Sequence, residues 1–168
     1  MPALPTSRWP RIGVILVGLF LVIQLVPYGR AHTNPPVKNE PVWDSPQTRE
    51  IVRKACFDCH SNEVTWPWYS HVAPASWLVQ RDVDHAREYL NFSEWGTHPR
   101  HEEAEEIEEV IVKEEMPLPP YLLLHPEARL SEAEKTQLIE GMKATIAATS
   151  AAVDTPGNDA AHDDNHDH

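Results

Sequence analysis

Residues 12–26 contain a single polar side chain, Gln24, and no feature constrains the chain more. A helix made from them is apolar on every face, so it suits neither a helix with a water-facing side nor one wall of a small core. Arg8 and Arg11 stand before it, and Trp9 and Tyr28 bracket it as aromatic residues bracket the hydrocarbon of a bilayer. From Trp9 to Tyr28 a helix reaches about 30 Å, one hydrocarbon thickness. The favoured reading is an uncleaved transmembrane anchor. The alternative is an export signal, for which Gly29-Arg30-Ala31 offers a small-x-small cleavage site. Both readings assign residues 1–30 to targeting and put the rest of the chain outside the cytoplasm; the favoured anchor makes it a single-pass protein of the inner membrane with a periplasmic domain.

The 168 residues leave room for one ordinary domain beyond this segment. Residues 31–45, with Pro35, Pro36 and Pro41, read as an extended tether from which Trp43 tucks back onto the domain. Asp44-Ser45-Pro46 is a helix start, and Ile51, Val52, Ala55, Cys56 and Cys59 follow at helical spacing. A second helix is expected from Pro74 to about Leu90, burying Leu78, Val79, Val83, Ala86 and Leu90. Residues 91–96 read as a turn. A third helix opens at Pro99 on the stripe Ala104, Ile107, Val110 and Ile111, with its acidic residues as a solvated face, and Pro117, Pro119 and Pro120 end it. Ser131 to Glu134 form a capping box that starts a last helix, with Leu138, Met142, Thr145 and Ile146 inward. No stretch alternates as a strand does, so residues 46–149 are expected to be one all-α domain. Residues 150–168, rich in Asp and His, are expected to be a disordered tail, in which His162, His166 and His168 offer at most weak metal binding.

Cys56 and Cys59 are the only cysteines, and His60 follows at once. Two thiols so close do not make a disulfide framework, and two alone cannot build a four-thiolate zinc or iron–sulfur site. C-x-x-C-H is the attachment signature of haem c. Two thiols three apart can add to the two vinyl groups on one porphyrin edge as thioethers, and the next side chain, from the same turn, can ligate the iron. Zinc would need further ligands, and thiol redox chemistry of the thioredoxin kind would need a βαβ frame that the sequence lacks. For the distal axial position Met116 leads, because it closes a helix ahead of Pro117 where a thioether can swing toward the iron. Met142 fits a core stripe instead. His71, His85, His98, His101 and His125 are the alternatives, as is an open position. Trp66, Trp68 and Tyr69 suit packing on a porphyrin, and Arg53 and Lys54 suit its propionates.

In combination these motifs resemble the bacterial haem-binding-domain family of membrane-anchored, single-haem c-type proteins. The resemblance rests on the anchor, Asn34-Pro35-Pro36-Val37, Cys56-Phe57-Asp58-Cys59-His60-Ser61-Asn62, Trp66-Pro67-Trp68-Tyr69-Ser70, Pro74-Ala75-Ser76-Trp77-Leu78, Asn91-Phe92-Ser93-Glu94-Trp95 and Met116-Pro117. It implies Cys56 and Cys59 as the covalent attachment of one haem, His60 as proximal ligand and a cytochrome c-like helical fold. The expected function is a single-electron carrier rather than an enzyme, with no small-molecule substrate. A haem-based redox or gas sensor, or a peroxidase-like enzyme with an open distal site, is the alternative. The net charge of −12 argues against nucleic acid as a partner and predicts a redox protein with a basic docking patch.

Overall fold

Ser45 opens the domain. Its hydroxyl oxygen accepts the Thr48 N–H at 3.2 Å and Pro46 takes the first helical position, so helix α2 runs over Pro46–Ala55. The computed structural model describes residues 8–97 and 104–153, and among them the secondary structure is helical with no strand. Helix α1 is Trp9–Ile23, α3 is Phe57–His60, α4 is Ala75–Tyr89, α5 is Ala104–Val112, α6 is Pro119–Leu124 and α7 is Glu132–Val153. Short 3-10 turns cover Trp68–His71 and Pro126–Ala128. The Pro99 helix start, His98 and His101, and the acidic tail from Asp154 lie outside the described residues.

The core lies between α2, α5 and α7. Val52, Leu138 and Met142 are buried there, and Ile51 and Ile111 join them. Helices α2 and α7 approach closely because Gly141 faces Thr48. A Cβ at Gly141 would stand 2.1 Å from Thr48 Oγ1. The capping box forms as its spacing predicts: Ser131 Oγ accepts the Glu134 N–H at 3.3 Å, and Glu134 Oε2 accepts the Ser131 N–H at 2.8 Å. A second cluster is aromatic, with Phe92 stacked on Trp95 and Phe57 at 5.8 Å from each and Trp43 tilted against it at 5.6 Å.

Three expectations change. Leu78 is exposed, and Ser76 joins the expected Val83 as the buried face of α4. Pro119 and Pro120 do not merely stop a helix: they occupy the first turn of α6, where a missing N–H costs nothing. The segment before α2 has no regular structure beyond one bridge, Asn39 with Glu94, yet it is stitched to the domain. Lys38 and Asn39 N–H both donate to the Ser93 carbonyl, Trp95 N–H donates to the Asn39 carbonyl, and Asn34 Nδ2 donates to the Val64 carbonyl.

Helix α1 has no buried residue and keeps its apolar side chains exposed along its length. It stops at Ile23, short of Tyr28, and among the described residues no helix is long and apolar enough to cross a membrane. Past Ile23 the backbone turns, Pro27 brings no N–H donor, and the Gln24 side chain is engaged with the domain.

Candidate functional site

The apolar stripe of α2 runs into Cys56, where the backbone leaves helical geometry at φ −121° and ψ −34° and restarts as the four-residue α3. That break turns Cys56 and His60 toward one cleft. The cleft encloses about 830 Å³ of empty space, its open mouth included. Val52, Phe92, Ile111, Leu138 and Met142 are among its apolar walls, and Glu106 is the acidic residue on its lining. Met116 stands at its rim, 37% exposed. Cys56, His60 and Met116 therefore share one cleft, although Met116 lies far downstream.

His60 is held in one state. Its Nδ1 donates to the Leu90 carbonyl at 3.0 Å, and the Phe92 N–H returns a bond to the His60 carbonyl at 2.8 Å. Burial lowers its basicity, against the opposing pull of the Leu90 and Ala86 carbonyls, and so favours neutral imidazole. With the proton on Nδ1, Nε2 carries the free lone pair, which is the arrangement of a metal-ligating histidine oriented through its other nitrogen. Behind it, Asn62, Asn91 and Ser93 form a buried network: Asn91 Nδ2 to Asn62 Oδ1 at 3.0 Å, Asn62 N–H to Ser93 Oγ and Ser93 N–H to Asn91 Oδ1, both at 2.9 Å. Arg87 Nε donates to the Ser61 carbonyl at 2.8 Å. The motifs at residues 56–62 and 91–95 are thus two halves of one support. Sequence reading finds both but misses their pairing, because the bonds that join them run largely through backbone.

The thiols are not activated. Burial pushes the Cys56 thiol up to about 12. Burial, with the Asp58 and Asp82 carboxylates adding to it, pushes Cys59 up to about 11. Redox and thiolate–metal chemistry use depressed thiols, so this environment runs against both. Among the described residues no group of three or more His, Cys, Asp or Glu side chains is placed to hold a metal ion.

Cys59 opens on a second, smaller cavity with Tyr69, Asp82, Leu118, Tyr121 and His125. Pro117 lines the first cavity and Leu118 the second, so one step of the chain after Met116 divides them. Polar contacts knit the second cavity together. Tyr121 donates to Asp58 Oδ2 at 2.8 Å, and burial together with that carboxylate pushes the phenol up. His125 Nδ1 donates to Glu127 at 3.0 Å, and its Nε2 shares a hydrogen bond with the Tyr69 hydroxyl at 2.8 Å. Tyr121 and His125 stack at 4.2 Å. Nothing in the sequence pattern marks Tyr121 or links it to Asp58.

The remaining candidates lie elsewhere. Trp68 is 79% exposed and lines neither cavity. Trp66 stacks on His32 with centroids 4.7 Å apart and is also absent from both linings. Tyr69 reaches the second cavity only. His71 and His85 are exposed away from the cleft, and Arg53 is exposed, while Lys54 is engaged with Glu134 at 2.6 Å. An apolar pocket with one oriented neutral imidazole, a thiol in its wall and a thioether at its rim fits haem in apolar lining and donor set.

Residues 18–144 match the model of a family described as a haem-binding domain. Neither the curated proteins nor the solved structures gave a match. The matched span takes in most of the chain, including both cavities, the Cys56–His60 motif and Met116, and this chain belongs to the haem-binding domain family.

Proposed function

We propose that the chain is a membrane-anchored c-type cytochrome that passes single electrons between redox proteins outside the cytoplasm. The observation that carries this reading is the cleft shared by Cys56, His60 and Met116, with the His60 Nδ1 proton given to the Leu90 carbonyl so that Nε2 keeps its lone pair. Cys56 and Cys59 would hold one haem as thioethers, His60 would be its proximal ligand and Met116 its distal one. Once bound, the group supplies a one-electron iron couple, and a thioether ligand favours the reduced state.

The protein's own part is positional. The Leu90 carbonyl fixes the imidazole tautomer, and the network of Asn62, Asn91 and Ser93 holds the turn that carries it. Apolar walls exclude water, which lowers reorganisation around a changing charge. With His60 and Met116 both as ligands the iron would have no position open to substrate, so the chain is read as a carrier and not as an enzyme. Helix α1, apolar on all faces from Ile12 onward and without a buried residue, is read as the anchor, with Arg8 and Arg11 on the cytoplasmic side. Confinement near membrane redox complexes raises the effective concentration of partners. The net charge of −12 favours a basic docking patch and rates that fall with salt.

A gas or redox sensor is the second reading, and the 37% exposure of Met116 favours it, because a rim ligand can leave. Two measurements on protein from cells able to mature cytochromes c decide between the readings. Intact mass should show one added haem. The optical spectrum should show a thioether–iron charge-transfer band in the far red, and the reduced form should not take up carbon monoxide. A colourless product ends the haem c reading, and a five-coordinate, gas-binding reduced form selects the sensor.

A further inference from the structure

Helix α1 does not hang from the domain on a free leash. Gln24 Nε2 donates to the Ala73 carbonyl at 2.9 Å, and Gln24 Oε1 accepts the Ala73 N–H at 3.0 Å. Arg30 Nη2 donates to the same oxygen at 3.0 Å. Gly29, with φ +76°, lies so close to α4 that a Cβ would stand 2.2 Å from the Ser76 carbonyl oxygen. His32 completes the joint, stacking on Trp66 and bonding the Ser70 carbonyl at 3.0 Å. The foot of α1 is thus fixed to the corner between the Trp68–His71 turn and α4.

The surface around that joint is apolar and open. Leu25, Val26 and Tyr28, which follow Gln24 in the chain, are exposed, as is Val72, next to the clamped Ala73. Trp68 is 79% exposed and opens the 3-10 turn Trp68–His71, whose last residue is two before Ala73. The fifteen residues of α1 span about 22 Å, less than the ~30 Å of bilayer hydrocarbon. A short span is accommodated by local thinning and by drawing its flanks into the interface. Here the flank is this corner, and aromatic side chains with one polar end suit that depth.

We propose that the corner formed by Tyr28, Trp68 and Val72 around the Gln24–Ala73 clamp is a membrane-contact surface. It sits in the headgroup–acyl boundary of the bilayer that holds α1, and it gives the haem domain one fixed orientation. The proposal rests on the reading of α1 as an anchor. It also differs from a flexible tether, which would let the domain tumble.

The test uses the full haem-loaded chain in vesicles of phosphatidylcholine and phosphatidylglycerol, with Cys56 and Cys59 consumed as thioethers. A nitroxide is placed at Val72→Cys, and a control nitroxide at Glu132→Cys on α7, where the native side chain is 90% exposed. Relaxation by oxygen and by a water-soluble nickel chelate reports depth. The Val72 label should be relaxed several-fold more by oxygen than by the chelate, with the reverse at position 132. Adding Gln24→Ala should move the Val72 label toward water while the protein still floats with the vesicles. Equal chelate access at both labels in floating protein overturns the surface but leaves the anchor standing. Unchanged depth after Gln24→Ala overturns the fixed orientation. Protein that does not float overturns the anchor reading and this proposal with it.

Discussion

His60 Nδ1 donates to the carbonyl oxygen of Leu90 at 3.0 Å, a bond between segments thirty residues apart that leaves Nε2 as the ring nitrogen with a free lone pair. Because the acceptor is backbone, no side-chain substitution at position 90 removes it, and the imidazole itself is the group to replace. His60→Ala is expected to abolish the six-coordinate spectrum of the purified protein. In the haem-free chain it should cost about 1–2 kcal/mol, since a buried carbonyl loses its donor. Absorbance of matured protein and denaturant unfolding of the haem-free chain check the two effects separately.

Met116 is half-exposed at the rim, so its side chain contributes little to the haem-free fold. Met116→Ala should change that stability by about 1 kcal/mol or less. It should also remove the far-red charge-transfer band, let the reduced form bind carbon monoxide and lower the midpoint potential by on the order of 0.1 V, within the ~0.8 V range that axial ligation spans. Persistence of the band in Met116→Ala would assign the distal position to another residue.

Gly141 lies inside α7, where alanine would ordinarily stabilise a helix by up to ~1 kcal/mol. Here the sign should reverse. The added methyl would stand 2.1 Å from Thr48 Oγ1, on a buried side chain hydrogen-bonded to Ser45. Gly141→Ala should destabilise by about 1–3 kcal/mol through overpacking. Thr48→Ala should recover part of that loss, a coupling read from a double-mutant cycle.

Glu40 joins the segment before α2 to the helix through Arg49, with contacts of 2.9 and 2.7 Å, and also accepts from Trp43 Nε1 at 3.0 Å. The Arg49 hydrogen bond holds its carboxyl below the usual value of 4.5, with burial opposing. A carboxyl depressed on folding adds stability that is fully present above the unfolded value of 4.5 and is lost as pH falls through the lower folded value. Glu40→Gln should therefore cost about 0.5–1 kcal/mol at neutral pH, the pair being partly solvated, and almost nothing once both forms are titrated in acid. Unfolding free energies of the two chains from pH 7 downward should converge.

Local rules made much of the fold legible in advance. The Ser45 cap with Pro46, the capping box at Ser131 and the inward stripe of Leu138, Met142 and Thr145 each depend on neighbours within a turn or two, and they stand where their spacing puts them. Leu78 faces outward: helical period alone does not say which side of α4 finds partners. Small side chains win there, with Ser76 lying flush against Gly29. Trp66 and Trp68 were assigned by residue type, which cannot tell a pocket wall from a surface. The structure places one under His32 and the other facing outward.

By itself the sequence determined the chemistry on offer: the sole pair of thiols beside His60, an all-apolar stretch before the domain, helical rather than strand-like periodicity and a net charge of −12. These follow from residue type and short-range spacing. Tertiary structure alone decided which groups meet: Cys56, His60 and Met116 at one cleft, Cys59 with Tyr121 and His125 at the next, and Gln24 locked onto Ala73. The reason is that hydrogen bonds to backbone carbonyls such as Leu90 and Ala73 carry no side-chain signature, and helix packing fixes long-range neighbours through shape.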